Sequence, residues 1–296
     1  MMNYPELDPV AFGLDAFTLF GQTIGPISVH WYGITYLCAF VSAWALGYYR
    51  STRPWSPLKK GQIEDLIFYG AMGVVLGGRI GYIIFYNFGD FLDNPLILLK
   101  VWEGGMAFHG GLIGVMVAML LYAKKTGVKF VDIMDFVAPL VPLGLGFGRL
   151  GNVINGELWG RETSVSWGMI YPKDVDALIR HPSNMYQAFL EGVVLFAVML
   201  WFSRKQRPRA AVGAMFLVGY GAIRFGVEFV REPDAHISYM FGWMTRGQFL
   251  SLPMMIGGLL AIYLAYKIAE PETSGASSSS VSGKSQVKTK KQKSGK

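Results

Sequence analysis

Hydrophobic residues gather in long blocks along this chain, separated by short polar connections. Blocks near or above the length that crosses a bilayer, about 17–25 residues, fall at 27–49, 66–86, 106–123, 133–153, 186–203, 211–230 and 250–268. The pattern predicts an all-α, polytopic integral membrane protein with seven transmembrane helices over residues 1–270. The fourth block carries Pro139 and Pro142 in its interior, and the fifth is short. Lysine and arginine sit in alternate connections: Arg50, Arg53, Lys59 and Lys60; then Lys124, Lys125 and Lys129; then Arg204, Lys205, Arg207 and Arg209. The positive-inside rule puts these in the cytoplasm and the N-terminus outside. Aromatic residues at the expected interfaces agree, with Trp31, Tyr32 and Trp102 outside and Tyr48, Tyr49 and Tyr122 inside. The longest outer connection, about 154–185, has room for a small extracytoplasmic head.

Composition sharpens this picture. Of 296 residues, 52% are hydrophobic and 16% charged, against about a quarter charged in soluble domains. The 37 glycines suit closely packed membrane helices. In the second block, Gly73, Gly77 and Gly81 share one face, and Gly144 and Gly148 repeat the spacing in the fourth. A formal charge of +7 would raise nucleic acid as a partner, but six lysines lie between Lys284 and Lys296. Residues 271–296 therefore read as a disordered Ser/Gly/Lys-rich cytoplasmic tail, and no nucleic acid is expected. The single cysteine, Cys38, excludes an intramolecular disulfide and sits in an apolar run as a buried thiol. The first 26 residues lack the basic start of a secretory signal peptide, so none is expected.

Charge inside a bilayer is costly, about 2.5–3.5 kcal/mol for a central arginine on the lenient scale, yet three arginines fall within the blocks: Arg79, Arg149 and Arg224. On the predicted topology Arg149 is about four residues, roughly 6 Å, from the outer end of its span. Arg79 and Arg224 lie in the outer halves of theirs, beside His30 and Tyr32, His109 and Glu191. Polar groups of six helices thus converge on the outer leaflet. Arg224 and Glu228, four apart, either neutralise each other or bind a ligand. Arg79 is equally suited to anchoring a loop and to touching substrate. Glu157 is either a partner of the site or a counter-ion of Arg149. His109, between Phe108 and the pair Gly110 and Gly111, has space beside it for a ligand. Arginine's planar fork matches phosphate, and a phospholipid headgroup is the anion at that depth. Among the four histidines no HExxH spacing occurs and only one cysteine exists, so no metal is expected; a GxSxG nucleophile elbow is also absent, and no cofactor is expected.

The run GRLGNVINGELWG, from Gly148 to Gly160, closely resembles the signature of the prolipoprotein diacylglyceryl transferase family: Arg149, then Asn152 and Asn155, then Glu157 and Gly160. HWYG at 30–33, GGRIGY at 77–82, GGMAFHGG at 104–111, RHPSNMY at 180–186 and YGAIRFGVEFVREPD at 220–234 are similar to further segments of that family. Val153 departs from its usual phenylalanine. The resemblance implies transfer of the diacylglyceryl group of phosphatidylglycerol to the lipobox cysteine of prolipoproteins, releasing glycerol 1-phosphate, in the bacterial inner membrane. It further implies that Arg149 binds phosphatidylglycerol and that Arg224 and His109 are essential. Tyr32 and Glu157 would join them in catalysis, and Asn152, Asn155, Gly160, Tyr220 and Glu228 would hold substrate beside Arg149, with Arg79 as a further candidate. A different class, an anion or lipid transporter, would use the same arginines but is expected to show internal repeats, which the sequence lacks.

Overall fold

The computed structural model describes residues 2–5, 7–19, 22–101, 104–232 and 240–269. Trp102, the last residues of the 220–234 segment and the 271–296 tail lie outside the described residues. In chain order the helices are α1 Trp31–Ser51, α2 Ile63–Tyr86, α3 Phe88–Asp93, α4 Phe108–Thr126 and α5 Phe130–Val137. They continue with α6 Val141–Ile154, α7 Ser183–Gln187, α8 Leu195–Phe202, α9 Ala211–Val227 and α10 Arg246–Ile268. The two proline-bearing or short blocks are composite rods. Pro139 lacks the N–H that a continuous α-helix needs, and a 3₁₀ turn at Ala138–Leu140 joins α5 to α6. A π-helical turn, Ala188–Val194, joins α7 to α8.

Four rods, Lys60–Tyr86, Phe130–Ile154, Ser183–Phe202 and Arg246–Ile268, are long and apolar enough to cross a bilayer. The chain is a multi-pass membrane protein. Large apolar side chains such as Leu37 and Val41 on α1 and Ile256, Leu259 and Leu260 on α10 are exposed. In water they would form an adhesive patch, whereas lipid solvates them. Around them α1, α4 and α9 pack against α6, α2 and α10 respectively.

Short strands correct the all-α expectation. The first predicted block does not begin at 27: Ile27–His30 is strand β5, paired antiparallel with β2 Val10–Leu14, and the helix starts at Trp31. A hairpin of β3 Phe17–Leu19 and β4 Gln22–Ile24 lies between them. Within the long connection, β6 Met169–Ile170 pairs with β7 Ile179–Arg180 and, in parallel, with β1 Met2–Asn3. Backbone groups outside helices need partners, and these ladders tie the chain's start to the 155–182 connection. That connection is cemented by Arg180, whose Nε donates to Asp174 at 2.8 Å, while Nη1 reaches Glu232 at 3.3 Å. The guanidinium holds the Asp174 carboxyl below its ordinary range.

The glycine seam of α2 meets α4. A Cβ at Gly77 would lie 2.7 Å from Gly114 Cα, and one at Gly81 2.7 Å from Gly110 Cα. Such approach brings backbones into contact, the arrangement small residues permit in membranes. In α6 the seam is different from the expected one. Gly148 has open space, and it is Gly146 that presses on Gly192, with a Cβ there 2.8 Å from Gly192 Cα. Spacing alone shows that glycines share a face but does not identify the face that meets a neighbour. At the far end from Arg149, Leu58, Ile63, Leu66, Met119, Ile133, Phe136 and Leu140 form the main core. Tyr122, expected in an interfacial belt, is fully buried there and donates to the Gln62 carbonyl at 2.5 Å.

Candidate functional site

The close approach of Gly146 and Gly192 sets the chemistry beside it. One turn beyond Gly146 stands Arg149, and immediately before Gly192 stands Glu191, wholly buried on the π turn. Their side chains meet, Arg149 Nε to Glu191 Oε2, at 3.4 Å. Glu191 Oε1 is buried without a hydrogen-bond partner among the described residues. Among the described residues only the Nε edge of the Arg149 guanidinium is engaged, which leaves its two terminal amino groups available. Glu157, the other candidate counter-ion, instead faces Lys173 at 3.7 Å.

From α9, Arg224 Nη2 meets Glu228 Oε1 at 2.5 Å, while its Nη1 is buried without a partner among the described residues. Glu228 is held from three further sides. Arg231 Nη1 lies 3.3 Å from Oε1, Thr245 Oγ1 donates to Oε2 at 2.7 Å, and a Cβ on Gly247 would sit 2.5 Å from the carboxyl carbon. Thr245 is also the N-cap of α10, accepting from Gln248 N at 3.1 Å. The pair expected from four-residue spacing therefore exists, and it still leaves Arg224 with a donor to give. Tyr220, one turn before Arg224, lies within the electrostatic reach of Glu191, Arg224, Arg149 and Arg231. α9, which bears Tyr220 and Arg224, packs against the π turn that carries Glu191.

Tyr32 closes the cluster from α1. A Cβ at Gly151 would lie 2.6 Å from its ring, so only glycine lets α6 come this near. The phenol senses both Glu157 and Arg149. Asn152 is buried, and its carbonyl accepts from Glu157 N at 3.0 Å. Asn155 caps the C-terminus of α6. Gly160 is a junction: its N–H donates to the His181 carbonyl at 2.8 Å, and it bridges to Arg231. Just below, Asn184 Nδ2 donates to the Glu157 carbonyl at 3.0 Å.

Two predicted residues stand apart. Arg79 is buried, but its terminal nitrogens donate to the carbonyls of Gly104, Gly105 and Ile97, fastening the 95–107 connection to α2. Of the two roles left open, loop anchoring is the one its contacts serve. His109 occupies the first turn of α4, exposed, with Phe108 edge-on at 5.5 Å between centroids. It makes no hydrogen bond to the Arg149 cluster, and its ring is open to an incoming group. The sequence pattern places Glu191 in the converging polar set without giving it a role, and Gln187, Arg231 and Thr245 are not among the residues it singles out. Glu191 carried a usable signal, since a carboxylate inside a membrane block needs a buried cationic partner.

The fold and the site define a helical membrane protein in which the partly buried Arg149 and Arg224 are paired with the buried carboxylates Glu191 and Glu228. Residues 20–264 match the family model described as prolipoprotein diacylglyceryl transferase. A protein of Teredinibacter turnerae named phosphatidylglycerol–prolipoprotein diacylglyceryl transferase is 62% identical over 90% of this chain and 93% of its own length. Proteins of the same name from Marinomonas sp. and Coxiella burnetii are 54% and 52% identical, over 90% and 91% of this chain and 96% and 100% of their own. The chain belongs to the prolipoprotein diacylglyceryl transferase family. It is a transferase, which sets the transporter reading aside.

Proposed function

We propose that this chain takes the diacylglyceryl group of phosphatidylglycerol and attaches it to the thiol of the lipobox cysteine in prolipoprotein signal peptides, the first step of lipoprotein maturation. It works in the bacterial inner membrane as a seven-span protein, with the Arg149 end, the N-terminus and the 155–182 head outside. The observation that carries this reading is the pair of half-engaged arginines. Arg149 and Arg224 are each tied to a buried carboxylate by part of the guanidinium, and each retains donors, Arg224 Nη1 with no other partner among the described residues. Glu191 and Glu228 hold the forks still, and a lipid phosphodiester completes their hydrogen bonding.

In the reaction the thiol sulfur, as thiolate, attacks the glyceryl CH2 bonded to phosphate. A C–S bond forms and the C–O bond breaks, its electron pair leaving with glycerol 1-phosphate. The phosphate enters with one negative charge and departs with two. Arg149 and Arg224 therefore bind the transition state more strongly than the substrate, which is how a barrier falls. A free thiol has a pKa near 8.5. His109, exposed to the incoming peptide, takes its proton. Tyr32 and Tyr220 flank the phosphate, Asn152, Asn155 and Glu157 line the outer mouth, and Gly160 fixes the connection above it. No cofactor enters these steps. The test is thioether formation by the purified protein from phosphatidylglycerol and a lipobox peptide. The His109→Gln variant is expected to lose turnover while keeping lipid affinity. A wild-type protein that binds phosphatidylglycerol but never forms the thioether would overturn the reading. Equal loss of affinity and turnover in His109→Gln would make it a headgroup ligand.

A further inference from the structure

Beside the paired arginines, the mechanism leaves a set of buried polar atoms unused. Gln187 is fully buried at the end of α7, and neither its Nε2 nor its Oε1 has a hydrogen-bond partner among the described residues. Four residues on, Glu191 Oε1 is in the same condition. Residues four apart on a helix share a face, and α7 with the π turn packs on α6 and α9, the two helices that bear the arginines. A buried amide and a buried carboxylate oxygen without partners are costly to keep. Two such groups on one face, Gln187 at the start and Glu191 inside a π turn of the kind that recurs at functional sites, point to a ligand that supplies the partners. Between them they offer two acceptors, Gln187 Oε1 and Glu191 Oε1, and the Gln187 amide donor.

From this arrangement we infer that Gln187, with Glu191 Oε1, recognises the terminal diol of the glycerol headgroup and so sets the enzyme's preference for phosphatidylglycerol. The inference rests on the proposed transfer reaction and deepens it. Two hydroxyls donate to the two acceptors, and a hydroxyl oxygen accepts from the Gln187 amide. An ethanolamine headgroup offers an ammonium with donors only, leaving that amide unmatched and setting a cation near Arg149. The direction also fits. On the proposed topology Gln187 stands one turn, about 5 Å, outward of Glu191 and its partner Arg149. The headgroup glycerol extends outward from a phosphate bound at Arg149.

The test compares phosphatidylglycerol with phosphatidylpropanol, which has the same phosphodiester charge and no diol, as donors to a lipobox peptide in nanodiscs. The full-length wild-type protein is expected to favour phosphatidylglycerol in kcat/KM by at least about a hundredfold, as sites built to bind a hydroxyl do. In Gln187→Met the preference should fall at least about tenfold, chiefly through a raised KM for phosphatidylglycerol. A variant preference equal to that of the wild type, or equal losses for both lipids, would overturn the assignment. Should Gln187→Met fail to fold, Gln187→Glu carries the test. It keeps acceptors and lacks the amide donor, so a reduced preference supports the site and an unchanged one removes it. Relative affinity for the two lipids, measured by native mass spectrometry, reads the diol site even if no thioether forms. Failure of the transfer reaction is therefore distinguishable from failure of this inference.

Discussion

Arg149 has a geometry that lysine cannot copy. Its Nε edge faces Glu191 at 3.4 Å, and its terminal nitrogens have no hydrogen bond among the described residues. One planar group thus bridges a fixed carboxylate and a bound phosphate. An ammonium is a point charge that satisfies one side or the other. Removing a preorganised donor to a developing anion costs about 2.7–4 kcal/mol in comparable sites. Each 1.36 kcal/mol is a factor of ten in rate, so Arg149→Lys should lower turnover at least about a hundredfold. The variant should fold, because lysine keeps the positive charge that the buried Glu191 requires. Thioether formation measured on protein with an unshifted melting temperature checks this. Near-normal turnover would reduce Arg149 to a counter-ion of Glu191 and transfer the phosphate to Arg224.

Among the elements, the α2–α4 seam offers the sharpest test of packing. The atoms a Gly77 side chain would strike, the Gly110 carbonyl and Gly114 Cα, are backbone and cannot rotate away. Overpacking of this kind typically costs about 1–3 kcal/mol, so Gly77→Val should lower the melting temperature by several degrees. Gly257→Ala, where a Cβ meets open space, should leave it unchanged or raise it, since alanine is the better helix former. Thermal scans of both in one detergent decide; equal melting temperatures would show that the seam tolerates expansion. The glycine spacing of α2 was legible in the sequence because three small residues on one face leave few other readings. The true seam of α6 was not, because Gly146 acquires its meaning only from Gly192, forty-six positions away in the chain. Long blocks announced the helices, but the strands from Met2 to His30 and the π turn carry no such periodic signal. The capping box of Thr245 and Gln248 follows a readable pattern. It went unread because the apolar block begins only at 250, leaving the start of α10 hidden among polar residues.

At the scale of the whole molecule the two ends of the bundle differ in kind, and that difference argues for one orientation. One end holds the arginine cluster and the sheet of β1, β6 and β7. The other gathers Arg50, Lys59, Lys60, Lys124, Lys125, Arg207 and Arg209 around the main core. Several of these are paired, Lys125 with Asp65 at 2.7 Å and Arg209 with Asp132 at 2.5 Å. Pairing does not weaken the topological argument, because orientation follows lysine and arginine counts near the span ends and acidic residues contribute little. The basic end should therefore face the cytoplasm and the arginine cluster the outer leaflet. On the proposed function, that is the side on which the cluster would meet an exported signal-peptide cysteine. Single cysteines at Ser164 and Ser285, introduced on a Cys38→Ser background, test this with a membrane-impermeant maleimide on intact spheroplasts. Ser164→Cys should label directly, and Ser285→Cys only after permeabilisation. Direct labelling at Ser285 would invert the molecule, set the arginines against the cytoplasmic leaflet, and require the thiol to be modified before export.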